Sequence, residues 1–211
     1  MNLQVFEFNV LPTNTYIMWD DTKEAVLIDP SCYYADEKGT LQRFLAAKDL
    51  TVRHILCTHF HFDHVFGVPF AKGLCGICCE AHPADVWWAE HNASEVAKFG
   101  IPYPGEPAVI GSPLADGDII RFGTTELQCL HTPGHSPGGM SFYDSTDGIV
   151  FVGDTLFASG GMGRTDLHGG DYDELIMSIR AKLFTLPDNT IVYPGHGPST
   201  TIRSERWFHN L

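Results

Sequence analysis

Apolar and polar positions alternate along the first third of the chain in short runs, each closed by turn residues. Leu3 to Phe8 and Thr15 to Trp19 read as strands, and Ala25-Val26-Leu27-Ile28 as a buried strand that stops at Asp29-Pro30. Asp36 to Leu50 predicts a helix with Leu41, Phe44 and Leu45 on one face, and Arg53 to Cys57 predicts the next strand. A short helix is expected after Asp63 and through Phe70, with Pro69 near its start or breaking it. Gly76 to Ala81 reads as a strand and Ala84 to Lys98 as a helix, while the proline-dense stretch from Ile101 to Pro107 is a loop.

A second run of strands follows: Ile119 to Phe122, Thr125 to Leu130, Met140 to Tyr143 and Ile149 to Val152. Asp171 to Leu183 is the best-marked helix, with Asp171 placed to cap it, Glu174 three residues on, and Leu175, Ile176, Ile179 and Leu183 as its apolar stripe. Ile191 to Tyr193 is the last strand. Strands early and strands late, with helices after each run, imply two similar halves sharing one core in an α/β (α+β) fold. With no linker or low-complexity segment, residues 1–211 are expected to form a single domain.

Composition narrows the function classes. The chain is 44% hydrophobic, enough to bury a sizeable core, and its 21 glycines and 13 prolines make it rich in turns. Its net charge of −13, with no basic stripe, repels phosphate backbones, so nucleic acid is not an expected partner. The absence of a long apolar run and of a signal-like N-terminus implies no membrane association and a cytoplasmic location. The six cysteines (Cys32, Cys57, Cys75, Cys78, Cys79, Cys129) follow no disulfide framework. Cys75 and Cys78 have zinc-knuckle spacing without a second pair, so reduced, mostly buried thiols are expected.

The chemistry concentrates in Thr58-His59-Phe60-His61-Phe62-Asp63-His64, directly after an apolar strand. Alternate residues leaving the strand let His59 and His61 face one ion, and the following turn carries Asp63 and His64 towards a second. Imidazole nitrogen and carboxylate oxygen suit zinc, iron or manganese, whereas calcium wants oxygen alone. Three later strands end in the same manner: Leu127 to Leu130 leads to His135, Ile149 to Val152 to Asp154, and Thr190 to Tyr193 to His196. Ligand sites of α/β folds form where carboxyl ends of strands converge, so four such ends point at one rim.

Seven ligand-type groups exceed the three or four that one tetrahedral ion takes, which implies two divalent ions. A natural division puts His59, His61 and His135 on the first and Asp63, His64 and His196 on the second, with Asp154 bridging. Paired ions about 3.5–4 Å apart polarise a water between them, and binding can lower its pKa to about 7, so no serine or cysteine nucleophile is needed.

At these residues the sequence resembles the metallo-β-lactamase superfamily, and within it the short bacterial form of glyoxalase II. The likeness extends to Asn14-Thr15-Tyr16, Ile28-Asp29-Pro30, Thr132 to Gly138, Gly153 to Phe157 and Pro194 to Pro198. It implies a four-layered αβ/βα sandwich with two metals, zinc first and iron or manganese as alternatives, at one edge of the sheets. It further implies hydrolysis of a 2-hydroxyacyl thioester such as S-lactoylglutathione by a metal-bridging hydroxide, with Asp63 and Asp154 as catalytic carboxylates. Arg164 falls where glyoxalase II has a basic residue contacting glutathione, which makes it a candidate substrate-binding residue. Longer glyoxalase II enzymes carry glutathione-binding residues in a C-terminal helical region, whereas this chain ends at Leu211, so an enzyme that is weaker, broader or served by another thiol carrier is expected.

Other readings compete. Gly163-Arg164-Thr165-Asp166 also resembles persulfide dioxygenases, which would use a single iron on His59, His135 and Asp154. The full second ligand set favours the hydrolase. A lactone or other ester is the next substrate class; Asp154, where several true β-lactamases carry Cys, speaks against β-lactams. A non-catalytic binding module would leave an activated metal pair without a purpose. His54, His131 and His82 read as packing or supporting groups, His91, His168 and His209 lack ligand spacing, and Trp87, Trp88 and Trp207 read as core or interface.

Overall fold

A computed structural model describes residues 1–209 of the chain. The first half comprises β1 (Asn2–Phe8), β2 (Thr13–Trp19), β3 (Glu24–Ile28), α1 (Ala35–Lys48), β4 (Thr51–Leu56), α2 (Phe62–Val65), α3 (Val68–Cys75), β5 (Cys79–Ala81), α4 (Val86–Ala97) and β6 (Ser112–Pro113). The second comprises β7 (Ile119–Phe122), β8 (Thr125–His131), β9 (Met140–Asp144), β10 (Ile149–Gly153), α5 (Tyr172–Ser178), β11 (Ile191–Pro194), β12 (Thr200–Thr201) and α6 (Ile202–Phe208). Each half builds one six-stranded sheet, in the orders β1-β2-β3-β4-β5-β6 and β12-β11-β10-β9-β8-β7. In the first sheet β1 to β3 pair antiparallel and β3 to β6 parallel; in the second only β10 and β11 are parallel.

The unbroken apolar runs in β3 and β10 follow from burial on both faces. In β3, Val26 and Ile28 join Phe122, Leu127, Phe142 and Phe151 between the sheets, while Ala25 and Leu27 face the outer helical layer with Leu41 of α1, Ala71 of α3 and Trp88 of α4. In β10, Ile149 and Phe151 point between the sheets and Val150 and Val152 outwards to Leu175, Ile179, Leu183 and Ile202. The layers are therefore helix, sheet, sheet, helix: a four-layered αβ/βα sandwich.

Several elements differ from the sequence-based expectation. The helix expected through Phe70 breaks at Gly67, whose amide donates to Pro30 O at 2.8 Å. A side chain there would run into Pro30 O at 2.7 Å and into Cys32 Sγ, so the chain turns and restarts as α3 with Pro69 in its first turn. The helix capped by Asp171 stays α-helical only to Ser178, then widens into a π turn over Ile179–Leu183 that Phe184 N closes on Ile179 O at 2.8 Å. The strand expected from Gly76 is only Cys79–Ala81, and Cys78 is exposed, not buried. The short α6 was not expected; Glu205 secures it by accepting from the amides of Ser159 and Gly160. Trp207 is 75% exposed, which excludes the core placement of the two expected for it. No helix among the described residues is long and apolar enough to cross a membrane.

Candidate metal centre

Strand ends deliver the site. His59 and His61 follow β4, Asp63 and His64 lie in α2, His135 follows β8, Asp154 stands immediately beyond β10, and His196 lies two residues beyond β11. All seven residues come together, and five are almost completely buried: His59, His61, His64, His135 and Asp63. Two sets, His59/His61/His135 and Asp63/His64/His196, each have ligand atoms within 4.8 Å of one another, and a third, His59/His64/Asp154, takes one histidine from each. Asp154 lies between them: Oδ1 is 3.3 Å from His64 Nε2, while Oδ2 is 3.6 Å from His135 Nε2 and 3.5 Å from His196 Nε2.

Hydrogen bonds at the far side of four of the five rings select the tautomer. His64 Nδ1 donates to Asp29 Oδ2 (3.0 Å), His135 Nδ1 to Arg164 O (2.7 Å) and His196 Nδ1 to Pro12 O (2.9 Å). Thr58 Oγ1 donates to Asp29 Oδ2 (2.7 Å) and is thereby left to accept from His59 Nδ1 (3.1 Å). With Nδ1 protonated in these four rings, Nε2 keeps its lone pair for the cluster. The buried Nε2 atoms of His59, His61, His64 and His135, and Asp154 Oδ1, have no protein partner. Buried nitrogen and oxygen lone pairs converging in this way fit borderline divalent ions and would be costly otherwise.

The electrostatics of His59, His61 and the two carboxylates agree. Burial and the neighbouring histidines hold His59 well below the usual imidazole range; burial, with His135 next, does the same for His61. Burial pushes the Asp154 carboxyl up, but His64, His135 and His196 outweigh it and keep it below the ordinary carboxylate range. Asp63 follows the same logic through His64 and His196. Burial pushes His64 and His196 down as well, but the facing Asp154 and Asp63 outweigh it and hold both above the usual imidazole range. There the ligand form, a neutral imidazole beside an ionised carboxylate, is reached when a cation takes the place of the proton. Space is limited too: a side chain at Gly195 would press against His64 Cε1 at 2.5 Å and against Asp154 Oδ1.

The sequence reading missed three supporting residues. Asp29 joins Thr58 and His64 just described, and also accepts from Thr58 N at 2.7 Å. Asp85 is 1% exposed and clamps two ligand loops: it accepts from Phe60 N (2.9 Å) between His59 and His61, and from Ser136 Oγ (3.0 Å) and Gly138 N (2.6 Å) beyond His135. Thr13 Oγ1 donates to Asp63 Oδ2 at 3.2 Å. Only Asp29 carried a signal, since it too ends a buried apolar strand.

The remaining histidines lie elsewhere. His54 bonds Glu80 and Arg121 O, His82 stacks on His131 at 4.1 Å, and His91 and His168 sandwich Trp87. Trp88 is buried against His61, with ring centroids 4.2 Å apart. Arg164 lines the cleft in front of the cluster, and its side chain is paired with Asp166.

A family model of the metallo-β-lactamase superfamily matches residues 8–196. The chain belongs to this superfamily. Among relatives of this superfamily member, the hydroxyacylglutathione hydrolase GloC of Haemophilus influenzae is 34% identical, over 98% of this chain and 95% of its own length. The crystal structure of the BLEG-1 B3 metallo-β-lactamase superposes with a TM-score of 0.86 at 36% identity, covering 97% of this chain and 96% of the other. TTHA1623 in a di-iron-bound form gives 0.82 at 37% identity, with 96% of each chain covered. The superfamily fold together with the His/Asp cluster implies divalent metal ions and a metallo-hydrolase.

Proposed function

We propose that this metallo-hydrolase cleaves a thioester, with S-lactoylglutathione or a related 2-hydroxyacyl thioester as substrate. The observation that carries the reading is Asp154, whose two carboxylate oxygens face ring nitrogens of both ligand sets. The similarity to the hydroxyacylglutathione hydrolase GloC supports the substrate class.

His59, His61 and His135 are assigned to one ion, Asp63, His64 and His196 to the other, and Asp154 to both. Zinc is our first assignment, with iron or manganese accepted by the same donors. When bound, such a pair supplies Lewis acidity and an activated water. The chain's own residues do the rest. The hydrogen bonds to Asp29, Thr58, Arg164 O and Pro12 O fix the ring orientations, so little reorganisation is needed during reaction. Asp63 and Asp154, both held ionised, are the catalytic carboxylates. In the overall reaction a water oxygen bonds to the acyl carbon, the carbon–sulfur bond breaks, and the sulfur leaves as free thiol beside a 2-hydroxy acid. Arg164, at the cleft wall, is the substrate-contacting candidate. The six unpaired cysteines suit a reducing compartment, and we assign the protein to the cytoplasm.

The test is metal content per chain together with S-lactoylglutathione turnover under nitrogen. About two metals and oxygen-independent thiol release are expected. One iron with turnover only in the presence of oxygen would replace this reading with the persulfide dioxygenase.

A further inference from the structure

In front of the cluster lies a cleft of about 300 Å³. Apart from the ligand residues, its walls are Leu11, Phe62, Phe99, Leu167 and Arg164. Phe99 is 58% and Leu11 39% exposed, and the rings of Phe62 and Phe99 pack at 5.7 Å. Large apolar side chains held in water at the mouth of a cleft mark a surface that an apolar part of a ligand covers.

Charge points the same way. Arg164 is the only lining residue other than the histidines that can carry positive charge. Its Nε and Nη2 already donate to Asp166 Oδ1 and Oδ2, at 2.6 and 2.7 Å, so the pair is locally neutral. The chain carries −13, and the charge of two divalent ions on the cluster would still leave the protein acidic. Glutathione, with its free carboxylates, has a net charge of about −1 at neutral pH. Seating it would place its carboxylates beside a guanidinium whose charge Asp166 already offsets, on a protein that stays acidic overall, which disfavours an anionic carrier relative to a neutral one.

We infer that the thiol carrier of the preferred substrate is uncharged and weakly polar, seated against Leu11, Phe62 and Phe99. This rests on the thioesterase reading above. The acyl group faces the cluster and the carrier lies along the apolar rim, where its burial replaces water on Phe99 and Leu11.

The experiment compares the metal-loaded enzyme on S-lactoylglutathione and on S-lactoyl-N-acetylcysteamine, following thiol release under nitrogen, in the wild type and in Phe99→Ser. The neutral thioester is expected to show about tenfold higher kcat/KM, and Phe99→Ser to erode that preference mainly through KM. Phe99 is exposed, so the substitution leaves the core intact. Equal or higher kcat/KM on S-lactoylglutathione overturns the carrier assignment and leaves the thioesterase reading standing. A preference that survives unchanged in Phe99→Ser reports the ester's own reactivity and also overturns it. Release of thiol from neither substrate by protein holding two metals removes the thioesterase reading and this inference together.

Discussion

Asp29 Oδ2 accepts a hydrogen bond from His64 Nδ1 at 3.0 Å, with both side chains almost wholly buried. Asp29 reaches this position with a positive φ of 49°, immediately beyond β3. The same oxygen takes the Thr58 hydroxyl at 2.7 Å, so one carboxylate orients a ring of each ligand set, His64 directly and His59 through Thr58. Asp29→Ala is expected to lower metal affinity about 10–100-fold while leaving all seven ligand residues in place. Titration of the apoprotein with zinc checks this; wild-type affinity would show that the rings are oriented without it.

Asp154 faces both sets, with Oδ1 towards His64 and Oδ2 towards His135 and His196. Asp154→Ala should abolish most activity and lower metal occupancy. His82→Ala serves as the contrast, because His82 stacks on His131 away from the cluster and should keep its full metal content. Metal analysis of both purified variants decides the matter: a lost metal in His82→Ala or normal turnover by Asp154→Ala contradicts the ligand set.

Asp85 ties the His59–His61 loop to the His135 loop. Asp85→Ala would leave the amides of Phe60 and Gly138 and the Ser136 hydroxyl without their acceptor. Each buried orphan costs about 1–3 kcal/mol, so a large fall in denaturant midpoint is expected. Asp85→Asn keeps one acceptor oxygen and should fall between the wild type and Asp85→Ala. Equal stability of all three proteins would refute the clamp.

His54 gives a pH signature remote from the metals. Its Nδ1 faces Glu80 Oε1 at 2.7 Å and its Nε2 faces Arg121 O at 3.0 Å, and only the imidazolium donates to both. The Glu80 hydrogen bond, against the opposing effect of burial, raises the His54 pKa above its ordinary value. A raised folded-state pKa adds stability that is fully present below the unfolded value of about 6.5 and is lost as pH rises through the folded value. His54→Gln should therefore be destabilised by about 0.5–1.5 kcal/mol near pH 6, with the deficit shrinking towards pH 9. Urea midpoints across that range test it, and a deficit that grows with pH would reverse the assignment.

Much of the site was legible because its parts are local. His59, His61, Asp63 and His64 sit within six residues, and His135, Asp154 and His196 each follow an apolar run that alternation identifies as a strand. The succession of strands along the chain, the buried run Ala25 to Ile28 and the start of the helix capped by Asp171 rest on the same short-range signals. The boundaries that moved had non-local causes, as where Pro30 and Cys32 crowd Gly67 and break the helix expected through Phe70.

The amino-acid sequence by itself determined the donor set, because ligand chemistry is a property of residue types and of the spacing that strand ends and turns impose. Tertiary structure alone decided how those donors are held. Asp29 reaches His64 across 35 residues of chain, Asp85 reaches Gly138 across 53, and His196 reaches Pro12 O across 184. It likewise decided that Arg164 lies at the cleft wall already paired with Asp166, and that Cys78 is exposed. Hydrogen bonds and packing depend on proximity in space, and two sheets folded face to face bring together positions that no short-range pattern in the chain relates.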